Sequence, residues 1–200
     1  MKTKIVSLER EKSVSLDRIS MLEKQIQDIQ TISRPTSVEI RNVPLFEKNN
    51  ETHNALASIV QSIGKTVDME VQTSDLRDIY RVPTRPGVST SPSAIVADFN
   101  SANMRNEFLS CVRRFNKSQN LQDKLNSELL SMPGKKTPIY VDERVAPSLK
   151  KLLYTARKAA KENQYTCWHS NGKIFIRKNQ NEKPIRILSE HNLSDIMNKQ

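Results

Sequence analysis

The stretch YTCWHSNGKIFIRK, residues 165–178, decides the fold of the C-terminal part of this chain. Its centre is Asn171-Gly172, a dipeptide that favours a two-residue hairpin turn because both positions accept a positive φ. A turn there pairs Trp168 with Phe175 and fixes every other cross-strand partner. Side chains then alternate between the two faces of the hairpin. One face carries Cys167, His169, Ile174 and Ile176; the other carries Thr166, Trp168, Lys173, Phe175 and Arg177.

These two faces differ in chemistry, which predicts different roles for them. The aliphatic face is expected to pack against a helix. The other face places two aromatic rings between cations, the combination that stacks on bases and contacts phosphates in nucleic-acid binding. The alternative is that Trp168 and Phe175 form the core and the aliphatic residues form the other layer.

A helix is predicted immediately upstream, from Pro147 to about Asn163, because proline suits the first turn of a helix. Its apolar residues share one side and its cations the opposite side. No acid interrupts the cationic side before Glu162, so it lacks stabilising i,i+4 partners and suits a phosphate backbone. The apolar side is Leu149, Leu152, Leu153, Ala156 and Ala160; the cationic side is Lys150, Tyr154, Arg157, Lys158 and Lys161.

Downstream of the hairpin, PIRILS (184–189) predicts a third strand and residues 190–198 a short closing helix. Residues 144–200 are therefore expected to form a small αβββα domain. This domain carries most of the net charge of the chain, which is +10. It holds 12 basic and 4 acidic residues, against 13 of each in residues 35–143. Such a local excess favours a polyanion, nucleic acid before membrane.

The middle segment alternates strand and helix patterns. Strand-like stretches and two helices with one apolar side predict the order βαββαβ over residues 36–143, which is typical of a ferredoxin-like fold. The strands are SVEIRNV (37–43), DIYRV (78–82), AIVADF (94–99) and PIYV (138–141). The first helix is predicted from Leu56, Ile59, Val60 and Ile63 with Gly64 as its stop, and the second from Met104, Phe108, Cys111, Val112 and Phe115.

The same order describes an RNA-recognition motif (RRM), so the domain is predicted to be RRM-like. The stacking position of the first strand is Glu39, and those of the third strand are Ala94 and Val96, so the aromatic platform is missing. Two alternatives follow: the domain only supports the fold, or it holds phosphates through arginines. Those arginines are Arg81, Arg85, Arg105, Arg113 and Arg114.

The N-terminal residues 1–33 predict a coiled-coil helix, in which Arg18 and Glu23 occupy positions g and e and can pair between neighbouring helices. The block RISMLE (18–23) resembles the basic-apolar-x-x-apolar-Glu motif of short trimeric coiled coils, and KIVSLE (4–9) is a weaker copy. A homotrimer is expected; a dimer and a helix folded against its own domain are the alternatives. The apolar heptad positions a and d are Ile5, Leu8, Ile19, Leu22, Ile26 and Ile29.

Several other functions are not favoured. Cys111 and Cys167 form no pair motif, which fits a reducing compartment and argues against a disulfide scaffold or a zinc site. No secretory signal and no long apolar run occurs, so the expectation is a cytoplasmic or nuclear protein without a membrane segment. No nucleophile–base or paired-carboxylate arrangement stands out. We therefore expect no enzyme activity, no cofactor, no metal and no small-molecule substrate.

The stretch IYVDERVAPSLKKLLYTARKAAKENQYTCWHSNGKIFIRK (139–178) resembles the C-terminal domain of the baculovirus few-polyhedra protein and its insect relatives, and SDLRDIYRVP (74–83) fits the same group. The order of coiled coil, degenerate RRM-like fold and basic C-terminal domain is similar to the first-open-reading-frame protein of LINE-type non-LTR retrotransposons. This second resemblance implies a trimeric RNA-binding protein with nucleic-acid chaperone activity. It implies strand contacts by Arg157, Lys158, Lys161, Trp168, Lys173 and Arg177.

The expected partner is single-stranded RNA or DNA, held mainly through phosphates. The alternative is a few-polyhedra-type structural or sorting protein that acts through protein contacts. Residues predicted to bind nucleic acid are Lys150, Tyr154, Arg157, Lys158, Lys161, Trp168, Lys173, Phe175, Arg177 and Arg186, with Arg81, Arg113 and Arg114 in the middle domain.

Overall fold

The computed structural model describes residues 2–32, 36–45, 51–83, 93–120 and 122–198, which form an α+β protein with two antiparallel sheets. The chain divides into two compact units. One unit is Pro35–Arg144, and the other combines Met1–Arg34 with Val145–Gln200.

The unit Pro35–Arg144 has the element order βαββαβ. Its four-stranded sheet has the strand order β2-β3-β1-β4, and all neighbouring strands are antiparallel. The elements are β1 (Ser37–Arg41), α2 (His53–Thr66), β2 (Leu76–Arg81), β3 (Ile95–Phe99), α3 (Ala102–Ser118) and β4 (Tyr140–Glu143), with a 3-10 turn at Thr73–Asp75 before β2.

Both helices of this unit begin at a side-chain cap and bury one apolar side against the sheet. The Thr52 hydroxyl accepts a hydrogen bond from the Ala55 amide, and the Ser101 hydroxyl accepts one from the Met104 amide, each at 3.2 Å. The resulting core joins the helices to the inward-facing residues of the central strands. Its members include Val38, Ile40, Ile59, Val60, Ile63, Ile95, Phe99, Phe108, Leu109 and Val112.

Gly64 does not end the first helix of this unit, contrary to the prediction. The helix continues to Thr66, and Gly64 lies inside it. A Cβ at this position would lie 2.6 Å from the Met69 carbonyl oxygen and 2.9 Å from a Val71 methyl carbon. The glycine therefore permits a close approach of the following segment to the helix.

The connection between α3 and β4 contributes to the core. Leu125, Leu130 and Met132 are buried in it. The buried Asn126 side chain accepts hydrogen bonds from the amides of Glu128 and Leu129, at 3.0 and 3.2 Å. The segment is thus fixed by side-chain hydrogen bonds together with backbone hydrogen bonds, such as that from the Ile139 amide to the Leu125 carbonyl at 2.9 Å.

In the second unit, α4 (Pro147–Glu162) packs on one face of the sheet β5-β6-β7, and α5 (Glu190–Asn198) contacts α4 and β7. The three strands are Thr166–Ser170, Lys173–Arg177 and Ile185–Ile187. The predicted apolar side of α4 is the side that is buried. The core of this unit is Val145, Leu149, Leu152, Leu153, Ala156, Ala160, Ile174, Ile176, Ile187 and Leu193.

The N-terminal helix α1 spans Lys2–Ile32. Ile19, Leu22, Ile26 and Ile29 of its predicted seam are between 46% and 66% exposed. Glu23 and Ile26 line a cavity of about 240 Å³, together with residues of α4 and of the β7–α5 connection. The side chains of Ile5 and Leu8 lie outside the described residues, as does Arg85.

Arg81 stabilises the first unit from within and is not a surface cation. Its guanidinium forms a two-nitrogen ion pair with Glu51, and the two side chains are 11% and 12% exposed. It also donates to the carbonyls of Val43 and Ser93, at 3.2 and 2.7 Å. The nucleic-acid contact predicted for Arg81 is therefore replaced by a structural role, because every side of its guanidinium faces a partner inside the unit.

We expect Arg81→Ala to lower the free energy of unfolding of this unit by about 3–5 kcal/mol, because it leaves the Glu51 carboxylate buried without its counter-charge. Urea unfolding followed by circular dichroism measures this. The matched control is Arg77→Ala on the same strand: Arg77 is exposed and pairs loosely with Asp98 at 3.8 Å. It should cost no more than about 1 kcal/mol. Equal losses for the two variants would contradict the assignment.

Candidate nucleic-acid interface

The hairpin β5–β6 has the predicted register at every position. Thr166 pairs with Arg177, Trp168 with Phe175, and Ser170 with Lys173. The turn residues Asn171 and Gly172 both have positive φ, 49° and 66°, as a type I′ turn requires. The register prediction from the Asn-Gly dipeptide is confirmed.

The aromatic residues of the hairpin lie outside the core. Ile174 and Ile176 face α4 and are buried, whereas Trp168 and Phe175 lie on the opposite face and are half-buried. The alternative in which the two aromatic residues form the core is therefore wrong. Because α4 already covers the aliphatic face, the aromatic face is the outer one.

Trp168 and Phe175 stack on each other on this outer face. Their ring centroids lie 5.8 Å apart with an angle of 24° between the planes. The Arg177 Cζ lies 5.6 Å from the centroid of the Trp168 ring, a cation–π arrangement. Arg177 also donates to the Gln180 carbonyl at 3.2 Å. This hydrogen bond and the cation–π contact together hold its guanidinium over the Trp168 ring.

Two further cations lie on the same face. Lys173 is on β6 beside Phe175, two residues away, and Arg186 of β7 is directly paired with Phe175. Arg186 is half-buried and has interactions of its own within the protein. We name this surface the aromatic face; it consists of Thr166, Trp168, Lys173, Phe175, Arg177 and Arg186.

The cationic side of α4 is exposed as predicted. Tyr154 is 73% exposed, and the cations around it are exposed as well. Within the part of the chain that the structure describes, no carboxylate lies within ion-pair distance of Arg157, Lys158 or Lys161. We name this surface the cationic flank; it consists of Lys150, Tyr154, Arg157, Lys158 and Lys161.

The two surfaces lie on different layers of the unit, since the flank belongs to the helix and the aromatic face to the far side of the sheet. They approach each other at β5. Burial raises the pKa of the Cys167 thiol, and the nearby positive charge of Arg157 lowers it in part. Cys167 lies on β5, and α4 packs against this strand, so Arg157 is the flank residue whose charge acts at β5.

The outer face of the other sheet is acidic instead of cationic. Glu39 and Asp98 lie on it, together with Asp142, and Arg41 of the same sheet is 3.9 Å from the Asp142 carboxylate. The Arg144 guanidinium donates to the Tyr80 hydroxyl at 2.6 Å. Arg41 and Arg144 thus have partners within the protein. This disfavours phosphate binding at the outer face of the sheet.

The helix α3 contributes one buried and two surface arginines. Arg105 and Arg113 both approach the same oxygen of Glu143, at 3.6 and 3.7 Å. Arg105 is buried, and burial lowers its pKa although Glu143 opposes this effect. Arg105 therefore ties α3 to β4, while Arg113 and Arg114 remain on the surface.

The described residues contain no cluster of three or more His, Cys, Asp or Glu side chains that could hold a metal ion. No described helix combines the length and apolar character needed to cross a membrane.

Comparison with known families bears on the second unit. Residues 146–197 match the family described as Baculovirus FP protein domain 2. This match spans α4 to α5 and so includes the cationic flank and the aromatic face, and it supports the few-polyhedra part of the resemblance. The chain matches no curated protein.

We expect Arg157→Gln to raise the pKa of Cys167 further, because it removes the charge that stabilises the thiolate. The thiolate is the reactive form, so alkylation of Cys167 by iodoacetamide should slow at every pH below the thiol pKa, and the rates should converge above it. Peptide mass spectrometry distinguishes Cys167 from Cys111. Lys158→Gln removes a flank charge that does not act on Cys167 and should leave the rate unchanged. A wild-type rate in Arg157→Gln would contradict the placement of Arg157 near Cys167.

Proposed function

We propose that this protein binds single-stranded nucleic acid, with RNA as the expected ligand, and that it does so as an oligomer with chaperone-like activity. The proposed binding region is the segment from α4 to α5, Pro147–Asn198, which we name the C-terminal unit. The observation that carries the proposal is the stacked Trp168–Phe175 pair, which lies outside the core with Arg177 over the tryptophan ring. Aromatic rings that lie outside the core among cations can stack on the bases of a single strand, and they do so with little sequence preference because every base offers a π face.

The cationic flank supports the same function. Three of its charges, those of Arg157, Lys158 and Lys161, have no acidic partner among the described residues, so they add little to the stability of the fold and are available to an anionic ligand. Their concentration in the segment with a net charge of +8 would attract a polyanion over a distance of about a Debye length.

We propose an RRM-like fold for the unit Pro35–Arg144. The order βαββαβ and the strand order β2-β3-β1-β4 support it. Glu39 and Val96 occupy the stacking positions and are buried, so the sheet has no aromatic ring at the positions that such domains use. We therefore assign this unit a supporting role and place the binding surface in the C-terminal unit.

We propose that α1 forms a parallel coiled coil, with a homotrimer as the expected assembly and a dimer as the alternative. The exposure of Ile19, Leu22, Ile26 and Ile29 supports it, because a 31-residue helix with an exposed apolar seam gains stability by association. Three copies would join three weak sites and raise the overall affinity through effective concentration.

The second candidate is a few-polyhedra-type structural or sorting protein that acts through protein contacts. The family match over residues 146–197 favours it. In that case the cationic flank would bind an acidic protein surface.

Under the nucleic-acid proposal, combined replacement of Arg157, Lys158 and Lys161 by Gln should weaken binding of single-stranded RNA at least about tenfold. The slope of log K against log salt should flatten by about 2, since each lost phosphate contact contributes about 0.7. Filter binding across a salt series measures both quantities.

The matched control removes three exposed charges from the other unit, as Lys65→Gln, Lys124→Gln and Lys135→Gln. It should leave affinity and slope close to those of the wild type. If both triple variants bind RNA equally well, the flank is not the site; if the wild type shows no salt-dependent binding, the protein-contact candidate is favoured.

For the oligomer, Ile19→Asp combined with Leu22→Asp should reduce the mass in light scattering to that of one chain, 22.9 kDa, because charge in the seam opposes association. Val14→Asp with Met21→Asp is the matched control, since both residues are exposed but lie outside the seam. Arg18→Ala should weaken assembly without abolishing it. An unchanged mass in the seam variant would contradict the coiled coil.

A further inference from the structure

We infer that one nucleic-acid strand contacts both surfaces of the C-terminal unit by crossing the edge strand β5, from the cationic flank of α4 to the aromatic face of the sheet. The inference rests on the proposed function and adds the path of the ligand. It also predicts a selectivity that neither surface would supply alone.

The layering of the unit requires such a crossing. The helix α4 covers one face of the sheet, and the aromatic face is the other. A ligand that touches both must therefore pass around an edge of the sheet. The available edges are β5 and β7, because the strand order is β5-β6-β7.

The β7 edge is the less suitable of the two. The helix α5 contacts both β7 and α4 on that side, and it brings acidic residues there. Lys151 of α4 is 3.8 Å from Glu190 of α5, and Asp195 lies on the same short helix. A phosphate backbone would meet negative charge on this route.

The β5 edge offers cations and polar groups along the whole route. The helix α4, which carries Arg157, packs against β5, and the charge of Arg157 acts on the Cys167 thiol of that strand. Thr166 begins the strand on the outer face and is paired with Arg177, which lies over Trp168. An edge strand also leaves backbone amide groups unpaired, and these can donate to phosphate oxygens.

The crossing predicts selectivity for single strands. A flexible strand can turn around the edge of a two-layer domain. A duplex has a persistence length of about 50 nm, so bending it within the width of one such domain costs several kcal/mol. We expect single-stranded RNA to bind at least about tenfold more tightly than a duplex of the same sequence.

The experiment uses two probes on the full-length protein. Trp168 is the only tryptophan of the chain, so its fluorescence reports the aromatic face, and alkylation of Cys167 reports the β5 edge. The ligand is oligouridylate of about 20 nucleotides, longer than the roughly 4–16 that a single-strand binding domain covers. Quenching of Trp168 and protection of Cys167 should occur over the same concentration range.

A pair of single-charge variants tests whether one strand links the surfaces. Arg157→Gln should weaken the affinity read at Trp168 by about three- to tenfold, because one phosphate contact upstream on the same strand is lost. Lys151→Gln removes the same charge on the α5 side and should change it less than twofold. Both residues lie on α4, on the opposite side of the sheet from Trp168. Circular dichroism of both variants should be unchanged, which excludes an effect transmitted through folding.

Three outcomes are distinguishable. Quenching without protection of Cys167, and with Arg157→Gln like the wild type, would overturn the path while the proposed function stands. Absence of any binding would overturn the proposed function itself. If polyglutamate protects Cys167 as well as the oligonucleotide does, the ligand is an acidic polypeptide and the inference is wrong.

Discussion

The two-residue turn at Asn171-Gly172 is the constraint on which the C-terminal unit depends. Both residues adopt a positive φ, and the turn fixes which residues oppose each other across β5 and β6. A shift by one residue would move every side chain of a strand to the other face. Ile174 and Ile176 would then leave the core, and the stacked rings would lie under α4. The local backbone geometry of two residues therefore decides which side of the sheet is hydrophobic core and which is available to a ligand.

The basic residues of this chain fall into two groups with different physical roles. Arg81 and Arg105 are buried and each faces a carboxylate; burial makes them costly to leave unpaired, so they act in stability. Arg157, Lys158 and Lys161 of α4 are exposed and have no such partner among the described residues. Net charge alone would not separate the two groups, since residues 35–143, with 13 basic and 13 acidic residues, use several of their arginines internally.

Local patterns predicted much of the fold, and long-range partners explain most of what was missed. The hairpin register, the apolar side of α4 and the order βαββαβ follow from periodicity and turn chemistry within short windows. The pairing of Arg81 with Glu51 spans 30 residues, and no local pattern reveals it. The sequence predicts a helix stop at Gly64 because glycine commonly ends helices. The actual reason for glycine there is the close approach of Val71, which depends on the path of the chain after the helix and cannot be read from a local pattern.

Association through α1 would raise the overall affinity of the proposed nucleic-acid site. Under the proposed function, one C-terminal unit would offer a few phosphate contacts and one stacked aromatic pair, which is a small surface for a flexible polymer. Linking copies through a coiled coil turns later contacts into intramolecular ones and raises the overall affinity without new contacts. The seam includes Lys12 and Ser15 at positions where apolar residues would be more stable. Polar residues at such positions fix the register of a coiled coil and lower its stability, so we expect an assembly with a defined register and a modest affinity between chains. Nucleic acid that spans several copies would then stabilise the oligomer, because it binds the assembled form.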